Sequence, residues 1–503
     1  MNADYKNPGA YVVDGPQDWQ VFQRGADGTA QIALSGVFTP DPNLAAGVPC
    51  VVEARVVRED DGRPPRPECD WREARMSGTN WTITLTGVPT GGLYKIDTRL
   101  RQGNDPWRLT GDKIFHVAVG DLWALAGQSN SAGYGHGPAE DPPCLCVHAF
   151  GADLAWKLAM HPLHDTTRTT HPVNRDSGWV DHSPWLVFGR QIFRSSGVPV
   201  GLLPVALGGS PLSAWDPGEA SPVLYTNMMD VVRRVGGKIA GMAWYQGESD
   251  AGPELAPTYA KRFERFVTLM RRDLGQPDLP VITVQLNRVE GNFVPLRDRW
   301  WGVLREAQRQ VARTMRNVAV VPSLDLALND CVHTSAAGNI ILGERCAKAA
   351  LGMTYGHKLN YRAPNLARAS FPSPPTPSPS TERGHDAPRT PSPSTERGQD
   401  APRTPSPSTE RGPGGEVIVL DFENVAGWLT PHASPTPEFT VEDEKGEVPI
   451  TEVAVAGTRV TLKLSRPVQG PTKVHGALSP DPRISLRDED QRPILGFCDV
   501  AVK

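Results

Sequence analysis

The sequence has 503 residues, of which 52 are basic and 56 are acidic, so its formal net charge is -4 at pH 7. This length predicts about three to four domains. The near-balance of charge argues against a nucleic-acid partner, because nucleic-acid binders carry a strongly basic domain or face. No apolar run approaches the roughly 18 residues of a membrane span, so no membrane-spanning segment is expected.

The first residues, MNADYKNPGA, lack the basic and apolar regions of a signal peptide, which predicts a cytoplasmic location for the chain as written. Seven cysteines are few and odd in number, and no pair has the CxxC spacing of a zinc cage. Free thiols are therefore expected. No His, Cys and Asp residues show metal-ligand spacing in the sequence, so neither a metal nor another cofactor is predicted.

Residues 1–115 have the pattern of a small β-sandwich. Trp81–Leu85 and Tyr94–Asp97 alternate between apolar and polar residues, and Val51–Val57 is rich in β-branched residues. Clusters of proline, glycine and aspartate separate these runs, as turns do between strands.

Residues 116–360 differ in kind, because short apolar runs alternate there with helical patterns. Apolar residues recur at a spacing of three to four from Tyr259 to Leu274, and Gly275 follows as a stop. This alternation predicts an α/β unit with a doubly wound parallel sheet. The five runs expected to be strands are Leu122–Ala126, Val198–Leu207, Ile239–Tyr245, Val281–Leu286 and Val318–Val321.

Residues 361–415 contain a tandem repeat of the string TPSPSTERG. Its copies begin at Thr376, Thr390 and Thr404. The segment is too polar and too rich in proline to bury a core, which predicts a disordered linker. Residues 416–503 return to a β pattern, with an apolar run at Val417–Leu420, and are expected to form a second small β-domain.

Polar groups follow each expected strand of the central unit. In parallel sheets, ligands bind beyond the carboxyl ends of the strands, so these groups are expected to share one rim. They supply a hydroxyl, a glycine pair, an amide and an Asp–His pair, which is the set that acyl transfer needs. The segments are Gly127-Gln128-Ser129-Asn130, Gly208-Gly209-Ser210, Gln246-Gly247-Glu248, Asn287-Arg288 and Asp330-Cys331-Val332-His333.

Four strings carry a family resemblance: GQSN at 127–130, GGSPLSAW at 208–215, WYQGESD at 244–250 and DCVH at 330–333. Together they resemble the blocks of SGNH hydrolases, most closely the branch of sialate O-acetylesterases and acetylxylan esterases. The resemblance implies a flavodoxin-like, three-layer α/β/α core with a five-stranded parallel sheet, flanked by the two small β-domains. It implies a serine esterase that deacetylates a carbohydrate, with sialate first and xylan or another plant glycan as the alternative. The family often acts outside the cytoplasm, so localisation stays open.

By this resemblance, Ser129 is the nucleophile and His333 is the base. Asp330 lies three residues before His333 and is the favoured group to orient its ring, while Asp325 is the alternative. The oxyanion donors are expected to be the backbone N–H groups of Ser129 and of the glycine pair, and the side chain of Gln246. Gly208 follows the strand directly and is preferred, but the sequence does not separate it from Gly209.

Further residues are candidates for support or substrate contact. Glu248 is expected to brace the Ser129 turn, in which Asn130 also lies. Trp215 is the best candidate for stacking on a sugar, and Arg288 could pair with the carboxylate of a sialate. Core packing is the alternative for the aromatic residues near the motifs, which also include Trp179, Trp185 and Tyr245.

Two other classes of function stay open at this point. A non-catalytic carbohydrate-binding protein could keep the same scaffold, although the presence of both Ser129 and His333 argues against it. A structural or interaction protein organised by the repeats ranks last, because the repeats lie outside the segments that carry the motifs. The expected partner is an acetylated carbohydrate, and the sequence leaves the oligomeric state open.

Overall fold

The computed structural model describes residues 7–44, 47–104, 107–176, 179–291, 298–372, 416–432, 439–482 and 486–503. They form three units, each built around its own main cluster of buried apolar side chains. No helix in these ranges is long and apolar enough to cross a membrane. All seven cysteines lie within them as free thiols, as the sequence predicts.

The N-terminal unit is built of strands whose buried residues alternate with exposed ones. In β3, for example, Ala30, Ile32 and Leu34 face the core while the residues between them face solvent. Two sheets share this core, one of order β1-β3-β7-β6 and one that contains β4, β5, β8 and β2. The strands are β1 (Gly9–Asp14), β2 (Val21–Gln23), β3 (Thr29–Thr39), β4 (Cys50–Arg58), β5 (Arg72–Glu73), β6 (Arg75–Ser77), β7 (Asn80–Pro89) and β8 (Gly91–Gln102).

A single long strand, β9 (Arg108–Gly127), joins this unit to the central one. Its first half pairs antiparallel with β8, and its second half lies between two parallel strands of the central sheet. The predicted boundary between residues 115 and 116 therefore falls inside one continuous strand. As a result, the two units share an 11-stranded sheet.

The central unit is the expected α/β fold. Its strands are β10 (Val147–Phe150), β11 (Trp156–Leu158), β12 (Val200–Pro204), β13 (Gly241–Tyr245), β14 (Val281–Gln285) and β15 (Val318–Pro322). Its helices are α1 (Ser129–Ala132), α2 (Trp185–Ser196), α3 (Val223–Arg234), α4 (Tyr259–Leu274), α5 (Asp298–Thr314) and α6 (Ala336–Thr354). The helix predicted from Tyr259 to Leu274 is α4, and it ends at Gly275 in the left-handed conformation.

The sheet runs in the order β11-β10-β12-β9-β13-β14-β15. The strands from β10 to β15 are parallel, whereas β11 pairs antiparallel with β10 at the edge. The parallel part thus has one strand more than the five predicted. The additional strand is β10, which the sequence does not reveal because it has only four residues and carries His148 at its second position.

The C-terminal unit consists of two four-stranded sheets and a two-stranded ribbon around a common core. Its strands are β16 (Asn365–Ser370), β17 (Val417–Glu423), β18 (Thr430–Pro431), β19 (Phe439–Asp443), β20 (Gly446–Glu447), β21 (Ile450–Ala456), β22 (Arg459–Leu464), β23 (Lys473–Gly476), β24 (Leu486–Arg487) and β25 (Phe497–Ala501). Strand β16 lies before the repeats and pairs with β17 after them. The start of the predicted linker, which begins at residue 361, is therefore partly folded, and the repeats lie outside the described residues.

The C-terminal unit docks on the central one through buried hydrogen bonds. The side chain of Arg305 on α5 is fully buried, and its guanidinium donates to the carbonyl oxygens of Ala477, Ser479 and Pro480. Gln285 at the end of β14 exchanges two hydrogen bonds with the backbone of Gly496. These contacts hold the C-terminal unit against the central sheet near the end of β14.

Candidate active site

Ser129 lies at the carboxyl end of the central sheet because β9 delivers it there. Gly127, the last residue of β9, has a φ of 126°. A Cβ atom at this position would lie 2.1 Å from the carbonyl oxygen of Tyr245 on β13. Only glycine permits this close approach of the two strands, after which the chain turns directly into α1 with Ser129 as its first residue.

The loop between β15 and α6 brings Asp330 and His333 to Ser129. The distance from Nε2 of His333 to Oγ of Ser129 is 2.9 Å. The distance from Nδ1 of His333 to Oδ2 of Asp330 is 2.7 Å. The other oxygen of Asp330 accepts the backbone N–H groups of Val332 and His333, both at 2.8 Å. The three predicted residues thus form one continuous chain of hydrogen bonds.

The surroundings of Asp330 keep its carboxylate ionised. Burial by itself raises the pKa of Asp330, but hydrogen bonds from the His333 ring and from two backbone N–H groups outweigh it, so the pKa lies below its ordinary value. An ionised Asp330 accepts a hydrogen bond from the Nδ1–H group of His333. Nε2 of the neutral ring is then free to accept the hydroxyl proton of Ser129.

Asp325, the alternative orienting residue, lies in a different network. Its carboxylate receives two hydrogen bonds from Arg345 at 2.7 and 2.8 Å and forms an ion pair with Arg487 at 3.0 Å. Among the two candidates, Asp330 is therefore the one in contact with His333.

Asn130 and Glu248 hold together the segments that carry Ser129 and His333. The Asn130 amide donates to Oε1 of Glu248 at 2.7 Å and to the carbonyl oxygen of Val332 at 3.3 Å. The oxygen of the same amide accepts the N–H of Thr334 at 2.9 Å. Asn130 therefore ties the Ser129 turn to both neighbours of His333, and Glu248 contacts this turn as the sequence predicts.

The glycine pair is arranged differently from the preferred prediction. The N–H of Gly208 donates to the carboxylate of Asp176 at 3.0 Å and is therefore engaged. The N–H groups of Ser129 and Gly209 have no hydrogen-bond acceptor in the described ranges of the chain. Gly209 is in the left-handed conformation, with a φ of 68°, and has open space where a side chain would be. Of the pair, Gly209 is therefore the residue whose N–H is not already engaged within the described residues.

Gln246 does not occupy the predicted position of an oxyanion donor. Its side chain is fully buried, and its amide donates to Asp250 at 2.6 Å and to the carbonyl oxygen of Ser210 at 3.3 Å. The oxygen of the amide accepts the hydroxyl of Tyr259 at 2.9 Å. Both N–H bonds of the amide are therefore used inside the core, on Asp250 and on the carbonyl oxygen of Ser210.

Trp215 is also placed differently from its prediction as a sugar-stacking residue. Its side chain is fully buried, and its ring N–H donates to the hydroxyl of Ser210 at 3.1 Å. Trp185 and Tyr245 are buried as well. Trp179, by contrast, is 68% exposed, so it is the aromatic residue of the predicted set that is open to a ligand.

Arg288 is partly buried between two acidic side chains. Its guanidinium lies 3.7 Å from the carboxylate of Glu290 and 3.7 Å from that of Asp481. It also donates to the carbonyl oxygen of Leu326 at 3.4 Å. Its charge is therefore offset by two carboxylates, which weakens the prediction that it reads an anionic sugar.

Two residues near the site have no counterpart in the sequence predictions. The ring of Tyr134 packs against the ring of His333, with 5.0 Å between their centroids. The hydroxyl of Tyr134 donates to Asp176, whose other oxygen accepts the N–H of Gly208. No spacing rule identifies them, because Asp176 lies in a polar loop far from every motif. Only the folded chain brings these two residues to His333 and Gly208.

One of two clusters of potential metal ligands in the described residues lies on the segments that precede α2. Asp141, His161 and His182 bring their ligand atoms within 4.8 Å of one another. The guanidinium of Arg190 pairs with the same carboxylate. Burial raises the pKa of Asp141, but hydrogen bonds from both histidines and Arg190 outweigh this effect. The pKa of Asp141 therefore lies well below its ordinary value. Arg190 already neutralises the charge that would attract a cation.

Comparison with known proteins finds carbohydrate esterases among those similar to this chain. Residues 119–352 match the family described as carbohydrate esterase, sialic acid-specific acetylesterase. A protein of Arabidopsis thaliana, described as a probable carbohydrate esterase, is 29% identical over 259 residues, which cover 47% of this chain and 92% of that protein. A crystal structure of a carbohydrate acetylesterase from Xanthomonas citri has the same fold, with a TM-score of 0.59 at 20% identity, over 96% of this chain and 97% of that chain.

Proposed function

We propose that this protein removes O-acetyl groups from carbohydrates through an acetyl-enzyme on Ser129, since residues 119–352 match the family described as carbohydrate esterase, sialic acid-specific acetylesterase. The observation that carries the proposal is the chain from Ser129 to His333 to Asp330, with distances of 2.9 and 2.7 Å. A nucleophile, a base and an orienting acid in this order are the parts of a serine hydrolase.

In the first step, Oγ of Ser129 attacks the carbonyl carbon of the acetyl ester while Nε2 of His333 takes the hydroxyl proton. The N–H groups of Ser129 and Gly209 donate to the oxyanion that forms. When this intermediate collapses, the bond to the sugar oxygen breaks. That oxygen then takes the proton from His333 and leaves as a hydroxyl, and the acetyl group stays on Ser129.

In the second step, water attacks the acetyl-enzyme in the same way as Ser129 attacked the ester. His333 takes a proton from water as the water oxygen attacks the acetyl carbon. His333 then returns this proton to Oγ of Ser129 as the bond between Oγ and the acetyl carbon breaks, and acetic acid leaves and ionises in water. Asp330 stays ionised throughout and stabilises the imidazolium that forms in each step. The low pKa of Asp330 supports this role, because a neutral Asp330 would not favour a charged ring.

The substrate named by the resemblance is an O-acetylated sialic acid. A second candidate is an uncharged acetylated sugar, such as a unit of xylan or another plant glycan. The contacts of Arg288 with Glu290 and Asp481 favour this second candidate, since the two carboxylates offset part of the positive charge that would attract a sialate carboxylate.

The proposal is tested by the release of acetate from O-acetyl sialic acid, acetylated xylan and a simple aryl acetate by the full-length protein. We expect hydrolysis of the aryl acetate and of at least one carbohydrate ester, and none above background by Ser129→Ala. If the wild-type protein binds the sugars but releases no acetate, the chain is a carbohydrate-binding protein and the proposed function is wrong.

A further inference from the structure

Asp176 connects two parts of the site that no sequence motif joins. Its carboxylate accepts the N–H of Gly208 with one oxygen, at 3.0 Å, and the hydroxyl of Tyr134 with the other. Gly208 lies in the turn after β12, and Tyr134 lies just after α1. We propose that Asp176 is a positioning residue that holds the glycine turn and Tyr134 in the arrangement that acylation of Ser129 requires. This inference rests on the proposed function.

The effect on the glycine turn follows from what is fixed on each side of Gly209. The N–H of Gly208 is held by Asp176, and the carbonyl oxygen of Gly209 accepts the hydroxyl of Ser249 at 3.1 Å. The peptide that carries the N–H of Gly209 lies between these two anchors. Because a glycine at a φ of 68° has wide freedom, the anchors decide where its N–H points.

The effect on the base passes through Tyr134. Its ring lies 5.0 Å from the His333 ring, at an angle of 32°. The hydrogen bond to Asp176 restrains Tyr134 at its far end, so the ring is held against one face of His333. A single carboxylate therefore restrains an oxyanion donor and the general base together.

Asp176 is itself held by the buried base of its loop. Its backbone N–H donates to the hydroxyl of Thr166 at 2.9 Å, and Thr166 is buried. In the same loop, Nε2 of His164 lies 3.3 Å from the amide oxygen of Asn174, and both residues are buried. The contact to Thr166 fixes the backbone at Asp176, which limits where its carboxylate, and hence its two partners, can lie.

The test compares Asp176→Ala, Asp176→Asn and Tyr134→Phe in the full chain, with kcat and KM for an aryl acetate and the rate of labelling by a serine-directed organophosphonate. Asp165→Asn is the matched control, since it removes from the same loop a carboxylate that accepts hydrogen bonds from the N–H and hydroxyl of Thr167. Loss of one oxyanion donor typically costs about 10²–10³ in rate. Misplacement by Asp176→Ala should therefore lower kcat by roughly 10–100-fold and slow labelling, with KM within about twofold.

The conservative variants separate positioning from folding. The amide oxygen of Asp176→Asn can still accept one hydrogen bond, so its kcat should lie between those of wild type and Asp176→Ala. Tyr134→Phe should lose less than Asp176→Ala, because the contact to Gly208 remains, and Asp165→Asn should match wild type.

Two results would overturn the inference. One is a kcat for Asp176→Ala within about threefold of wild type. The other is a rise in KM with kcat unchanged, which would make Asp176 a substrate contact. If Asp176→Ala does not fold, a kcat for Asp176→Asn equal to that of wild type overturns it as well. If any of these results is obtained and Ser129→Ala is inactive, the inference about Asp176 is wrong but the proposed function stands. If Ser129→Ala is active, the proposed function itself is wrong.

Discussion

Individual residues divide into those whose position follows from strand ends and those whose position follows from packing. Ser129 lies just beyond β9, and Asp330 and His333 lie in the loop that follows β15. Because the carboxyl ends of these parallel strands share one rim, the meeting of the three residues could be predicted from the sequence. Gln246 and Trp215 also follow strands, but their side chains turn inward to partners in the core. The direction of a side chain depends on its neighbours in space, and the sequence pattern does not contain them.

The two candidate orienting acids give a test at the residue scale. Asp330→Asn should lower kcat by roughly 10²–10⁴-fold, because the ring of His333 loses its charged partner while the geometry is kept. Asp325→Asn is the matched control and should leave kcat nearly unchanged, because Asp325 contacts Arg345 and Arg487. Steady-state hydrolysis of an aryl acetate measures both, and a larger loss in the Asp325 variant would contradict the assignment.

Among the elements, β16 and β17 show how far a sequence pattern reaches. The antiparallel ladder pairs Ser370 with Val419, so the segment that carries the repeats begins and ends at adjacent strands. The composition of the repeats predicts a linker between two units. It does not reveal that β16, before the repeats, belongs to the unit after them, because its partner strand is distant in sequence.

This pairing predicts that the repeats are dispensable for hydrolysis of a small ester. Replacing residues 373–415 by a short glycine–serine turn should keep kcat/KM for an aryl acetate within about twofold. The melting temperature should stay equal or rise, since a shorter loop costs about 2 kcal/mol less closure entropy. A comparison on acetylated polymer shows whether the segment affects large substrates. A large loss on the small ester in a folded protein would mean that the segment belongs to the active enzyme.

For the whole molecule, the sequence predicts the three units and their order but not the way they are joined. Strand β9 passes from the N-terminal unit into the central sheet without a break, so a boundary drawn from pattern alone cuts through it. Arg305 likewise holds the C-terminal unit by bonds to the backbone of residues more than 170 positions away. Such contacts join distant segments and leave no local signal.

His148 gives a pH test of the junction between the first two units. Its ring is fully buried, with Nδ1 2.6 Å from the carbonyl oxygen of Trp19 and Nε2 2.7 Å from that of Leu145. Burial lowers the pKa of His148 to about 4, although both carbonyl groups oppose this shift. Between pH ~6.5 and 4, His148 is protonated in the unfolded chain but stays neutral in the folded chain. The free energy of unfolding therefore falls as the pH falls through this window.

Urea unfolding at pH 7 and pH 4.5 measures this effect against His148→Gln, which cannot titrate. The wild type should lose about 2 kcal/mol more stability than the variant between these two pH values. Other acidic groups contribute equally to both proteins and cancel in the comparison. Equal losses in the two proteins would show that His148 does not carry the linkage.

The central claim is that acetyl transfer passes through Ser129, and the most direct measurement is to locate the acetyl group during turnover. The full-length protein is mixed with an aryl acetate, quenched in acid within a turnover, digested and analysed by mass spectrometry. We predict one acetyl group on the peptide that contains Ser129, and none in Ser129→Ala treated in the same way. Acetylation of another residue, or release of acetate by Ser129→Ala at the wild-type rate, would contradict the account.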